Sequence, residues 1–215
     1  MLNPVFVLIS LVLAVLAAIF GYVMTLPPEV AHRVTMEGGF VEVGSSVGYF
    51  ICVAALIFWG RMTFVKRRYY LLILLIALGL RELDFDKAFT AEGIFKSKFL
   101  ISDHVPFIEK VIGGVVLLIL LVCIVHMVRN HFKSFFIGLF RFYEVEFAIG
   151  VGFAFIVISK AIDGIERKLD SLGLSITEHT AEIVEYGEEI LELGISLMFL
   201  IAIYAHFSAK FKAKH

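Results

Sequence analysis

Charge is what this sequence has least of. Only 18% of its 215 residues are Asp, Glu, Lys or Arg, where soluble domains carry roughly 25%. With 60% hydrophobic residues and a mean hydropathy of +0.94, the shortage takes the chain out of the soluble range and marks an integral membrane protein. Cysteine is nearly absent. Cys52 and Cys123 each sit in the middle of an apolar run, a placement that suggests neither an oxidising compartment nor metal spacing and predicts buried, inert thiols. No long basic tract is present, which argues against a nucleic-acid partner. The first apolar run, Pro4 to Leu26, lacks a basic leader and a small-x-small cleavage site before Pro27. It reads as an uncleaved span and not as a signal peptide.

What the chain does have is apolar length. Six runs approach the roughly 20 residues that a spanning helix needs, at about 4–25, 40–60, 67–86, 108–128, 145–164 and 185–207. The 22 Phe residues suit lipid-facing surface. The predicted fold is therefore all-α, a single polytopic domain over residues 1–215 built as a six-transmembrane-helix bundle in the lipid bilayer. Net charge is only −1, but the charges are segregated. Arg61, Lys66, Arg67 and Arg68 follow the second run, Arg129, Lys133 and Arg141 the fourth, and Lys210, Lys212 and Lys214 the sixth. With six spans all three segments fall on one side, and the positive-inside rule predicts cytoplasmic termini. The opposite loops, 26–39, 87–107 and 165–184, are acidic, with Glu29, Glu37, Asp103, Glu166, Asp170, Glu178 and Glu182, and they hold His32, His104 and His179. In a bacterial inner membrane, the predicted location, that face is periplasmic.

Several charges lie inside the runs. The purely apolar stretch Tyr69–Leu80 is too short to cross, so the third helix is expected to continue through Arg81, Glu82, Leu83, Asp84, Phe85 and Asp86. Glu42 opens the second run, Lys160 and Asp163 stand three apart in the fifth, and Glu188, Glu189 and Glu192 open the sixth. Four helices thus deliver charge to a similar depth. A charge at the bilayer centre costs about 2.5–3.5 kcal/mol on insertion scales, so such groups are expected to pair, bind an ion or stay protonated. The predicted ion- or proton-binding acids are Glu42, Glu188, Glu189 and Glu192, with Arg81, Glu82, Asp84, Lys160 and Asp163 as a supporting network. The two bases cannot neutralise all the acids, which leaves a proton or a cation, a divalent one included, as the remaining partner. Farther out, Glu178, Glu182 and Glu185 continue the stripe as a solvated helix start.

Other patterns carry less. Gly44-Ser45-Ser46-Val47-Gly48 matches the G-x-S-x-G nucleophile pattern, but no strand precedes it, and Gly44 and Gly48 instead make a small-residue face for close helix packing. His126 and His206 fall near the cytoplasmic ends of their spans. They are read as interface residues, not as haem ligands. His179, Glu182 and His104 are the candidate metal ligands, without an H-E-x-x-H motif.

Glu37-Gly38-Gly39 with Glu42, then Arg81-Glu82-Leu83-Asp84-Phe85, then Glu188-Glu189-Ile190-Leu191-Glu192 resemble small multi-pass bacterial membrane proteins. Glu42 with Ser45 and Ser46, followed later by Glu82 and Asp84, is similar to the alkaline ceramidase and adiponectin-receptor superfamily of membrane hydrolases. That resemblance implies zinc bound by histidines within the spans, including a late paired-histidine motif; here the last span carries Glu188, Glu189 and Glu192 in that region and no such histidines. Three functions are therefore expected to compete. The first is a transporter or sensor whose carboxylate-rich cavity binds a cation or proton and takes a cationic or lipid ligand. The second is a metal-dependent membrane hydrolase acting on lipid. The third is a structural subunit that assembles with itself or with a partner.

Overall fold

A computed structural model describes residues 3–36, 38–96, 98–171 and 173–212. Glu37, Lys214 and the side chains of Lys210 and Lys212 lie outside that description. Every regular element among the described residues is an α-helix: α1 (Pro4–Val23), α2 (Pro28–Thr35), α3 (Phe40–Arg67), α4 (Tyr69–Glu82), α5 (Phe85–Phe89), α6 (Phe107–Phe140), α7 (Glu144–Ile162), α8 (Ile165–Asp170) and α9 (Glu178–Lys212). Five of them, α1, α3, α6, α7 and α9, are long and apolar enough to cross a membrane.

Helix α9 is the axis of the bundle, with α1, α3 and α7 packed around it and α2 and α8 touching its first half. Its buried side is made of Tyr186, Ile190, Ile195, Met198, Ile201, Ala202 and Ala205. Close approach depends on small residues. A methyl group at Gly48 of α3 would collide with the Ser196 side chain, and one at Gly194 would collide with Phe155 of α7 and Leu16 of α1. The Gly44–Gly48 face is thus a packing surface. Cys52, fully buried, lies 3.5 Å from the Ser196 carbonyl oxygen, and Cys123 is buried as well. Helix α6 stands outside this core, against α4 and α7, with Leu118, Leu121 and Val122 exposed.

The basic segments gather at one end of the bundle. Arg68, at the α3–α4 junction, contacts His131 of α6, and Phe64 packs on His206 and Phe207 of α9. Asn3 caps α1 by accepting from the Val5 N–H at 3.0 Å and donates to Glu144, at the start of α7, at 2.5 Å. Helix α3 leaves helical geometry at Arg61 (φ 56, ψ 175), where the apolar run of the sequence also stops.

The third run departs from expectation. The helix does not continue to Asp86; α4 ends at Glu82, and Asp84 takes a left-handed conformation (φ 48, ψ 28) before the short α5 begins. An Asp tolerates this backbone better than most residues, and its carboxylate accepts from Lys87 Nζ at 2.5 Å, so the break is locally satisfied. With 14 residues, α4 is about 21 Å long, short of the roughly 30 Å hydrocarbon thickness. The chain then stays irregular to Pro106, with Phe99 buried against Gly113 of α6 and the Ala91 N–H donating to Glu109.

Candidate functional site

The break in α4 leaves Arg81 and Glu82 on its last turn, facing the middle of the bundle. Glu192 of α9 receives them, about four turns from the start of that helix. Its Oε1 lies 3.6 Å from Arg81, 3.3 Å from Lys160 Nζ of α7, and accepts from the Ser159 hydroxyl at 3.0 Å. Lys160 continues the chain of contacts outward, 3.4 Å from Glu188 and 3.1 Å from Asp163, which ends α7. Glu82 forms no ion pair among the described residues, and its carboxyl stands close to that of Glu192, within electrostatic reach. Tyr49 of α3, almost wholly buried, stands within electrostatic reach of Glu82, Glu192 and Arg81.

The site has a buried side and an exposed side. Glu82 and Glu192 are each 7% exposed, whereas the Arg81 and Lys160 side chains keep 38% and 43% of their surface. The cations therefore stand at the surface of the bundle and the central carboxyls inside it. Two cations meet four carboxyls, Glu82, Asp163, Glu188 and Glu192, in this one cluster.

Glu189 and Glu42 form the neighbouring part of the site. Glu189 Oε2 is buried with no hydrogen-bond partner among the described residues, and its carboxyl is within electrostatic reach of Glu42, Glu188, Glu192 and Lys160. Glu42 accepts from the Gly38 N–H at 2.6 Å, which ties the start of α3 to the turn before it.

Of the residues singled out in the sequence, Arg81, Glu82, Lys160, Asp163, Glu188 and Glu192 come together, with Glu189 and Glu42 beside them. Asp84 does not join; it turns away to the exposed pair with Lys87. His104, His179 and Glu182 are not assembled into a ligand set, and no group of three or more His, Cys, Asp or Glu suited to a metal ion occurs among the described residues. His126 packs edge-on against Tyr70, while His206 packs on Phe64 and Phe207, so the two imidazoles sit in different aromatic settings. Ser159 and Tyr49 went unnoticed in the sequence. The only signal for Ser159 was its place next to Lys160, and none distinguishes Tyr49 from the other aromatics of an apolar helix. No family model, curated protein or solved structure matches this chain.

Proposed function

We propose that the chain is a six-span membrane protein, with both termini on the cytoplasmic side of a bacterial inner membrane, and that the Arg81–Glu82–Lys160–Glu192 cluster is its proton-binding site in a transporter or sensor. The six-span count takes α4 as a broken crossing. It runs from the basic end at Arg68 to the cluster, and the chain completes the passage as α5 and the irregular segment packed on α6. Non-helical backbone at membrane depth is tolerated where it is buried in protein or lines a water-filled cavity, and half-helix ends are a recurring way to build ion sites in transporters. The clustering of Arg61–Arg68 with the ends of α6 and α9 supports the orientation through the positive-inside rule.

One observation carries the reading: Glu192 is buried and held by Arg81, Lys160 and Ser159, while Glu82 is equally buried beside it without a cation of its own. Such a pair is a device for holding one proton between two carboxyls. A proton suits the site better than a metal ion because Arg81 and Lys160 already occupy the Glu192 oxygen that a metal would take. Thermal unfolding in detergent, measured across pH for the wild type and for Glu82→Gln and Glu192→Gln, tests it. The proposal requires that the pH profile change shape in both variants. Superimposable profiles would sink it.

A further inference from the structure

A second site lies at the other end of the bundle. Between α1, α3 and α9 runs an open cleft of about 640 Å³. Its floor is Ala54 and Ala55, its walls are Phe58, Trp59 and Tyr204, and Leu8 of α1 closes one side. Residues 51, 54, 55, 58 and 59 recur at helical spacing, so the cleft follows one face of α3 for two turns. We propose that it binds one acyl chain of an anionic phospholipid from the leaflet at the basic end, with Arg61 engaging the lipid phosphate.

The apolar cleft alone does not choose a lipid. Within a bilayer an acyl chain gains little by leaving other chains for an apolar groove, so selection must come from the mouth of the site. Three features at the same end of the bundle point to a phosphate. Arg61 follows two residues after Trp59, is exposed, and makes no ion pair among the described residues. Its backbone occupies a region (φ 56, ψ 175) that suits glycine, although Gly60 stands one position earlier with ordinary helical geometry. A strained Arg beside an unstrained Gly is the reverse of what backbone preference would select, and it argues that the guanidinium is wanted at that point. Lys66 and Arg67, also exposed, add positive charge at the same end. Finally, Trp59 and Tyr204 pack edge to face at 6.4 Å, and neither the indole N–H nor the phenol hydroxyl has a hydrogen-bond partner among the described residues. Such amphipathic rings sit at the headgroup level, where ester and phosphate oxygens accept their hydrogen bonds.

The inference needs the bundle to lie in a bilayer but not the proton site, nor the side of the membrane on which the basic end falls. Full-length protein in mild detergent, titrated with phosphatidylglycerol or phosphatidylcholine of identical chains and analysed by native mass spectrometry, tests it. Wild type should retain one phosphatidylglycerol with about a fivefold preference per engaged basic residue. Arg61→Gln should erase that preference while still taking up either lipid. Ala55→Trp, which fills the cleft, should take up neither, and Ala54→Leu gives a milder filling should Ala55→Trp fail to fold, as judged by its unfolding curve. Glycerol phosphate, which lacks acyl chains, should not bind. Equal retention of the two lipids by wild type would overturn the proposal, as would unchanged uptake by a folded cleft-filled variant. Loss of a dimer instead of a lipid adduct in those variants would overturn it in favour of a second copy of the chain as occupant.

Discussion

Arg81 on α4 and Lys160 on α7 reach the same oxygen, Oε1 of Glu192, at 3.6 and 3.3 Å. Helix α4 is thereby tied to α7 and α9, which already pack closely on each other, through one carboxylate. Removing it leaves Arg81 without an ion-pair partner among the described residues, while Lys160 keeps Glu188 and Asp163. Glu192→Ala should destabilise the bundle by on the order of 2–3 kcal/mol, below the figure for a wholly buried pair because both cations are partly exposed. Reversible unfolding in mixed micelles measures this, and a loss under about 0.5 kcal/mol would mean that the network is slack.

Ser159 donates to Glu192 from a position with no exposed surface. Ser159→Ala should cost about 1.5 kcal/mol, the usual range for a hydrogen bond to a charged group. Because the hydroxyl steadies Glu192 alone, combining the substitution with Glu192→Gln should cost less than the sum of the two. A double-mutant cycle reads the coupling, and strict additivity would contradict direct contact.

The α3–α9 contact makes a graded prediction. Gly48→Ala forces its methyl group onto Ser196, whereas the same change at Gly44 meets only Leu193 Cδ1 at 3.4 Å. The first should destabilise by about 1–3 kcal/mol. The second should stay near neutral, or gain slightly from helix propensity. Equal effects in unfolding assays would argue against the close packing of these helices.

The proposal that α4 is a broken crossing is testable by labelling. In a background of Cys52→Ala and Cys123→Ala, a cysteine placed at Arg81 should react with a membrane-impermeant maleimide added from the acidic side, through the exposed side of the cluster. A cysteine at buried Leu75 should not. Protection at both positions would mean that no water path reaches the end of α4.

The sequence disclosed the depth of these charges but not their contacts. Counting residues from the ends of apolar runs suffices to put Arg81, Lys160 and Glu192 at one level, because helix rise is constant. It also marks where α3 is interrupted, since Arg61 ends the apolar run at the point where the backbone turns. The end of α4 was not legible: a single left-handed residue, Asp84, stopped a helix that hydrophobic thickness alone said must continue. Ser159 and Tyr49 were hidden for another reason. A serine or tyrosine in an apolar helix reads as packing until the neighbouring helices are in place, and the order of helices around α9 is a tertiary fact. The contact of Arg68 with Tyr70 and His131 was hidden in the same way, because its residues come from two helices whose neighbourhood no spacing rule gives.

The proton itself gives the most direct test. Infrared difference spectra of the purified protein, recorded across neutral pH in light and heavy water, resolve the carbonyl stretch of protonated carboxyl groups. The Glu82–Glu192 pair should give a protonated-carboxyl band that disappears in both Glu82→Gln and Glu192→Gln and persists in Glu178→Gln, which alters only the solvated start of α9. A spectrum without such a band, or a band untouched by either substitution, would contradict a shared proton at this site.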